Sequence, residues 1–280
     1  MMENPLQGSV QADTPCTARI NILYPHFTKA DQAMADLIID HPQTVAKLSS
    51  RELGRQCGIS EASVIRFVQK LGYEGLTEFR KALLEELMTS QTPTGAAFSL
   101  ADSPSEILSR VVGLCSQALQ NLIAVLDLRE LERAAKAISN ADCIHFLSLG
   151  GSMRVAQHAA FKLMRMGYLA VAYSDPNAQM AQASLIRPQS VAVGISFTGS
   201  TRVTVDALAV ARENGVTTIC LTNFAGTPIT EVSDIKLILG APGGLLAANS
   251  APARVAQFAV LDAICAMIPP RGGGRNASEA

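Results

Sequence analysis

From Ala33 to Leu87 the apolar positions recur at intervals of three and four: Ala33, Leu37 and Ile38, then Leu48 and Leu53, then Val64, Phe67, Val68 and Leu71, then Phe79, Leu83, Leu84 and Leu87. That period predicts helices throughout, and residues 17–90 read as an all-α domain. Past residue 104 the pattern changes. Long Ala-rich helical stretches alternate with short runs rich in β-branched residues: CIHFLSL (143–149), YLAVAYS (168–174), VAVGISF (191–197), TTICLTNF (217–224) and DIKLILG (234–240). Runs apolar nearly end to end suit parallel strands covered on both faces, and every connection between them is long enough for a crossover. Residues 105–270 therefore predict a five-stranded, doubly wound parallel α/β domain, which makes the whole chain α + α/β.

The remaining stretches lack a periodic apolar face. Residues 1–16 and 271–280 are polar and rich in turn formers, so both are expected to be disordered. Residues 91–104, within SQTPTGAAFSLADSPS, are rich in Ser, Thr, Pro and Gly and read as a linker.

Composition changes the picture in two places. Charged residues are only 17% of the 280, below the ~25% of an average soluble chain, which favours burial of some surface between subunits. The net charge of −1 removes any bulk electrostatic argument for nucleic acid, so such a partner must rest on a local patch. Uncharged stretches such as 237–253 and 214–230 are shorter than ~18 residues and broken by Gly, Pro, Asn or Ser, and no membrane span is expected. The start, MMENPLQGSV, lacks the basic and apolar blocks of a signal peptide. Cys16, Cys57, Cys115, Cys143, Cys220 and Cys265 form no CxxC pair, as expected for reduced cytosolic thiols, and His26, His41, His145 and His158 never fall at metal-ligand spacing. Neither a metal nor a cofactor is expected.

Residues 49–73, SSRELGRQCGISEASVIRFVQKLGY, carry the first chemical signal. Ser49 and Glu52 have capping-box spacing, Gly58 can end the short helix that follows, and Ser60 can cap a second one. Two short helices joined across Cys57, Gly58 and Ile59 have the dimensions of a helix-turn-helix. On the second, Val64, Phe67, Val68 and Leu71 form an inner face, while Ser63, Arg66 and Lys70 line the outer one. Arg66 could pair with a guanine edge in a major groove, and Ser63 and Lys70 could reach phosphate or base edges. From Val45 to Lys81 seven basic residues stand against four acidic, a local +3. A solvated amphipathic surface would carry similar charges, and spacing alone leaves both readings open.

The second signal lies at two strand ends. Gly150-Gly151-Ser152 runs directly into a helix, and so does Ser196-Phe197-Thr198-Gly199-Ser200-Thr201. Free backbone N–H groups and the helix dipole at such turns favour an anion, glycine permits close approach, and the hydroxyls are neutral donors. Arg154 and Arg202 are near enough in sequence to contribute. Ordinary N-capping explains either turn taken alone. A dinucleotide site, with Asp175 on the ribose, requires a third glycine where Val155 and Ala156 stand, and leaves the 196–201 cluster unexplained.

Taken together, FTKADQAMADLIIDHP, GISEASVIRFVQKLGYEGLTEFRKAL, AYSDP, ISFTGSTRVTVDALAVARENG and ARVAQFAVLDAI resemble, in order and spacing, the RpiR-type transcriptional regulators, over residues 20 to 270. That family joins a helix-turn-helix domain to a sugar-isomerase (SIS) domain. The resemblance implies operator DNA-binding through Ser49, Ser50, Arg51, Ser60, Glu61, Ala62, Ser63, Arg66 and Lys70. It also implies a phosphorylated sugar effector at Gly150, Gly151, Ser152, Ser196, Thr198, Gly199, Ser200 and Thr201, with Thr198 in place of the commoner serine. A homodimer or homotetramer in the cytoplasm, without a membrane partner, is the implied state. Ala253 before Arg254 departs from the serine that relatives often carry.

SIS domains also occur in sugar-phosphate isomerases, so an aldose-ketose isomerase with an accessory helical domain is the competing expectation. That chemistry needs a base beside the carbonyl. Between Gly240 and Pro270 the only acid is Asp262, inside an apolar helix, and His158 reads as packing or a subunit contact. A non-catalytic effector domain is the reading that follows.

Overall fold

The computed structural model describes residues 14–89, 102–241 and 250–271. By its internal contacts the chain forms two units. One comprises residues 1–126, 223–225 and 238–256, and the other 127–222, 226–237 and 257–280. The expected division at 91–104 falls almost wholly outside the described residues, and its last part is helical: Ser103 and Glu106 form a capping box with Pro104 as the first helical residue. In this grouping the helix over 104–125 falls with the first unit.

The first unit begins with α1 (Cys16–Leu23) and a 3-10 turn (Tyr24–His26), followed by α2 (Lys29–Asp40), α3 (Pro42–Val45), α4 (Ser50–Cys57), α5 (Glu61–Lys70), α6 (Leu76–Thr89) and α7 (Pro104–Val125). Hydroxyl and carboxylate three residues apart start three of these helices: Thr28 with Asp31, Ser49 with Glu52, and Ser103 with Glu106 each satisfy two otherwise unpaired N–H groups reciprocally. Phe67, Phe79, Met34, Ile38, Leu53, Val64, Leu71 and Leu83 are fully buried in its core.

The expectation of disorder up to residue 16 is corrected by α1. Cys16 is buried, and its Sγ lies 2.8 Å from Tyr73 Oη. Arg19 donates to the carbonyls of Thr14 (3.0 Å) and Leu71 (3.1 Å), and Thr17 donates through its N–H (3.3 Å) and its hydroxyl to Glu86. Every residue of α1 is buried, so it has no exposed face to impose an apolar period, and Thr17 and Arg19 find partners distant in sequence. Burial pushes the Cys16 thiol up to about 12, which makes it inert packing.

The second unit holds α8 (Leu128–Asn140) and then β1 (Ile144–Ser148), α9 (Gly151–Arg165), β2 (Ala170–Tyr173), α10 (Pro176–Ala183), β3 (Val191–Ile195), α11 (Arg202–Glu213), β4 (Thr217–Thr222), α12 (Pro228–Glu231) and most of β5 (Ile235–Ile238), together with α13 (Ala251–Met267) from Gln257 onward. Each strand lies inside its expected run. The sheet order is β2-β1-β3-β4-β5, and the β1–β2, β1–β3 and β3–β4 pairs are parallel. The connections after β1 and β2 place strands on opposite sides of β1, so the order reverses between β1 and β3, where open α/β sheets place ligands.

The C-terminal expectation is also corrected at its first residue. Arg271 donates from its backbone to Met166 O (2.7 Å) and from its guanidinium to the carbonyls of Ala141 (2.8 Å) and Ser139, and lies 4.4 Å from the Tyr168 ring centroid. Among the described residues, α7 is by length and composition alone apolar enough to cross a bilayer, although it carries Glu106 and Arg110; a core helix passes the same test. Ala118, Leu122 and Val125 line its buried stripe, while Leu108, Val112 and Ile123 are exposed.

Candidate functional site

The helix-turn-helix forms as the spacing predicts. Gly58 closes α4 at φ +65°, and the Ser60 side chain caps α5 by accepting from Ser63 N at 3.2 Å. Val64, Phe67, Val68 and Leu71 are fully buried. Gly54, which the spacing did not single out, is what allows the two helices to meet: Ile59 N donates to Gly54 O at 2.8 Å, and a Cβ on Gly54 would lie 2.7 Å from Ile59 O.

Ser49, Arg51, Ser60, Glu61, Ala62, Arg66 and Lys70 are exposed, and Ser50 and Ser63 half-buried. A chain of contacts runs along α5: Ser60 Oγ lies 2.9 Å from Ser63 Oγ, which accepts from Arg66 Nη2 at 2.9 Å. Ser50 Oγ donates to the Glu61 carboxylate across the two helix starts at 3.3 Å. Ser49 serves its own helix, bonded to Glu52, whose carboxyl its hydroxyl and N–H hold below the usual value. Lys70, expected on the outer face, has an ion-pair partner. Its Nζ is 2.6 Å from Asp31 on α2, so it already faces a carboxylate within the same unit.

The two hydroxyl-rich turns leave neighbouring strands. Ser148 and Ile195 are register partners, and Ser148 Oγ donates to Ile195 O at 2.8 Å, so Gly150–Ser152 and Ser196–Thr201 open from the same end of the β1–β3 pair. Neither following helix has a side-chain cap. Gly150, at φ +60°, is the N-cap of α9, and Thr201 that of α11, with no side-chain capping bond in either case. The Thr201 hydroxyl instead meets Ser196 Oγ at 2.8 Å. Capping by the N-cap side chain therefore does not account for these residues, and helix starts of this kind favour an anion.

Ser152 and Ser196 are buried, Thr198 and Thr201 are half-buried, and Ser200 is exposed, with its N–H on Thr198 Oγ1 at 3.3 Å. Gly199, at φ +68°, packs so closely that a Cβ would lie 2.1 Å from Thr227 Oγ1 and 3.0 Å from Thr222 Oγ1. Its carbonyl accepts from Ile229 N at 2.9 Å. Thr222, Thr227 and Gln257 were missed by sequence reasoning because each reaches these loops only through the tertiary fold. Gln257, fully buried on α13, donates from Nε2 to Ser152 Oγ at 3.4 Å. Ala253 is buried and offers no hydroxyl, and burial lowers the Arg254 guanidinium below its usual value.

The remaining candidates have structural partners. Asp175 caps α10, accepting from Ala178 N at 2.8 Å, so it does not wait for a ribose. Asp262 pairs with Lys162 at 2.6 Å and lies 3.7 Å from His158, whose ring meets Phe258 edge to face. Arg154 donates to Gln157 and Arg202 pairs with Asp206, the latter on a side chain 92% exposed. Among the described residues no group of three or more His, Cys, Asp or Glu is placed to hold a metal ion.

Residues 15–90 match the helix-turn-helix domain of the rpiR family, and residues 137–267 match the SIS domain. Over 255 residues, 91% of this chain and 90% of its relative, the sequence is 31% identical to an HTH-type transcriptional regulator of Caldanaerobacter subterraneus subsp. tengcongensis. Among solved structures, the Vibrio vulnificus NanR protein complexed with ManNAc-6P is similar in fold over 90% of both chains, with a TM-score of 0.56 at 23% identity. The sugar isomerase domain of the RpiR transcription factor from Sphaerobacter thermophilus covers 59% of this chain and 88% of its own, with a TM-score of 0.51 at 26% identity.

Proposed function

The chain belongs to the RpiR family of helix-turn-helix transcriptional regulators with a SIS domain, and from that premise we propose that it reads double-stranded operator DNA through α4 and α5 while a phosphorylated sugar bound at Gly150–Ser152 and Ser196–Thr201 sets its operator affinity. The observation that carries the effector half is the pair of uncapped helix starts, α9 and α11, on adjacent strands at the point where the sheet order reverses. Backbone N–H groups with positive dipole ends, ringed by hydroxyls, suit a phosphate dianion without a metal or a fixed cation. A sugar phosphate that prefers one arrangement of two reader helices shifts operator affinity by its differential binding; a coupling of ~1–3 kcal/mol corresponds to roughly 5–150-fold.

The protein acts by binding and not by turnover. Asp262 and His158, the acid and histidine of the isomerase alternative, are engaged with Lys162 and Phe258. A homodimer or homotetramer brings two readers together. The low charged fraction supports that assembly, as do Phe161, Met164 and Leu169, which are 50–60% exposed.

A thermal-shift screen against phosphorylated sugars, N-acetylmannosamine 6-phosphate among them and product formation followed in parallel, tests the proposal. A raised Tm without turnover is the expected result. Ser152→Ala and Ser196→Ala are expected to abolish the shift and retain operator binding; unchanged response in both removes the phosphate assignment, and turnover restores the isomerase.

A further inference from the structure

We propose that Gln179 and Thr204 read the sugar of the effector: their buried side-chain oxygens, without a hydrogen-bond partner among the described residues, pair with hydroxyls of a sugar whose phosphate is held at the two turns. The inference rests on the reading of Gly150–Ser152 and Ser196–Thr201 as a phosphate site. Gln179, on α10, donates from Nε2 to Ser148 O at 2.9 Å, and Ser148 donates from Oγ to Ile195 O at 2.8 Å. These bonds tie the roots of both turns, since Ser148 ends β1 just before Gly150 and Ile195 immediately precedes Ser196. A carbonyl only accepts, so the amide nitrogen must face Ser148 O. The Oε1 bonded to the same carbon is left at that strand end, where it requires a donor.

Thr204 lies in the first turn of α11. Other buried hydroxyls of this unit find a carbonyl close by in sequence: Thr230 donates to Thr227 O at 2.7 Å and Ser233 to Ile229 O at 2.6 Å. Thr204, 0% exposed, makes no such bond. Ala207, Leu208 and Ala211 fix the inward face of its helix, and Ala183 that of α10; all four belong to one core cluster with Leu147 of β1. Gln179 and Thr204 stand one turn before these residues on the same faces. Both helices follow a strand of the parallel sheet and lead to the next, so their first turns lie at the carboxyl ends of the strands, where the two hydroxyl-rich turns open.

A buried oxygen without a partner keeps its desolvation cost uncompensated, so a ligand hydroxyl that reaches it gains more than one bonded at the surface. Ser196 and Ser152, at 2% and 5% exposure, are buried almost as deeply as Gln179 and Thr204, so a ligand that meets the turn hydroxyls already reaches this level. A sugar hydroxyl both donates and accepts, which suits Thr204. Gln179 Oε1 only accepts, and so selects a hydroxyl over a carboxylate or a second phosphoryl oxygen. Discrimination of a polyhydroxylated phosphate ester from bare phosphate thus falls to the starts of α10 and α11.

The test is calorimetric titration of the full-length protein with glucose 6-phosphate, fructose 6-phosphate, glucosamine 6-phosphate and ribose 5-phosphate, each compared with inorganic phosphate at fixed ionic strength. The parent is expected to bind at least one of the four more tightly than phosphate itself. For that sugar phosphate, Gln179→Met and Thr204→Val, which keep length and shape, should each lose about three- to tenfold, as for a neutral hydrogen bond. Inorganic phosphate should bind both variants as it binds the parent. Thr204→Val should also melt no lower than the parent without ligand; a lower Tm shows that the hydroxyl is bonded within the protein and overturns its role. Equal losses for sugar phosphate and phosphate show a merely structural effect and overturn the proposal. Unchanged sugar-phosphate affinity in either variant overturns it for that residue. If Gln179→Met does not fold once the bond to Ser148 O is gone, Thr204→Val carries the test. A parent that binds phosphate as tightly as all four sugar phosphates overturns this inference and leaves the phosphate reading standing. A parent that binds none of the five removes the phosphate reading, and this inference with it.

Discussion

Lys70 Nζ on α5 lies 2.6 Å from Asp31 Oδ2 on α2, and the same oxygen accepts from the Thr28 N–H at 3.1 Å and the Thr28 hydroxyl at 2.8 Å. One carboxylate thus closes the start of α2 and holds the last turn of the outer reader helix. Burial raises the Asp31 carboxyl, but the bonds from Lys70 and Thr28 outweigh it and keep the group below its ordinary value of 3.8. A depressed folded-state value contributes stability that is complete above the unfolded value and is lost as pH falls through the folded one. Asp31→Asn is expected to destabilise the helical unit by ~1–3 kcal/mol at pH 7. The gap to the parent should stay level down to about pH 4 and close below it, where protonation has already removed the parent's charge. Calorimetric unfolding at pH 7, 5 and 3 checks this; a gap that persists undiminished at pH 3 assigns the loss to packing.

The same pairing ranks two cations that sequence spacing treats as equivalent. Arg66 is exposed and bonded only to a neutral hydroxyl at 2.9 Å among the contacts described, whereas Lys70 must leave Asp31 to meet DNA. Arg66→Ala is expected to cost ~1–3 kcal/mol on operator and little on random duplex. Lys70→Ala should cost less on both and flatten the salt dependence by less than one phosphate contact, since it already faces a carboxylate within the same unit. Fluorescence anisotropy with the two duplexes at several salt concentrations decides the order, and a larger loss for Lys70→Ala would reverse it.

What the sequence makes legible here is what local chemistry dictates. Ser49 with Glu52 and Ser60 with Ser63 interact within one helical turn, so their caps can be read from spacing, and the five β-branched runs carry their strands because a buried parallel strand needs no polar face. The α1 helix was invisible for the opposite reason: it is buried on all sides, and Thr17 and Arg19 are satisfied by Glu86 and Leu71 far along the chain. Lys70 belonged to the outer face by periodicity, which carries no information about Asp31 39 residues earlier. Gln257, Thr222 and Thr227 approach the candidate effector loops only once the sheet has formed, and Arg271 looked like a tail because its carbonyl partners are backbone groups common to any sequence.

Gly54 makes a sharp case about helix glycines. In an ordinary exposed helix position glycine costs ~0.5–1 kcal/mol relative to alanine, so Gly54→Ala would stabilise. Here the added Cβ would sit 2.7 Å from the Ile59 backbone oxygen, which cannot rotate away. The α4 and α5 axes must separate, at ~1–3 kcal/mol by analogy with overpacked cores. Gly54→Ala is expected to lower both Tm and operator affinity. Gly58→Ala meets no atom within 4 Å and should cost only the strain of φ +65°, leaving operator affinity near that of the parent. Equal effects of the two substitutions on DNA binding would show that the helix spacing is not set at Gly54.

Gly199 combines both penalties at the effector loops. At φ +68° a side chain is strained by ~1–2 kcal/mol, and the Cβ would come within 2.1 Å of Thr227 Oγ1 and 2.6 Å of Thr227 Cβ. The loop cannot simply rise, because its carbonyl is held by Ile229 N at 2.9 Å and the Ser196 N–H by Leu221 O at 3.1 Å. Gly199→Ala must therefore displace Thr198 and Ser200 from the positions that a phosphate group would meet. The expected outcome is a lower Tm, loss of the sugar-phosphate-induced shift, and operator binding retained in the absence of effector, since α4 and α5 belong to the other unit. Thermal melts with and without sugar phosphate, alongside an operator-binding curve, separate these effects. A variant that melts lower yet shows the parent's full ligand-induced shift would mean that the 196–201 loop is structural and that the phosphate is held elsewhere.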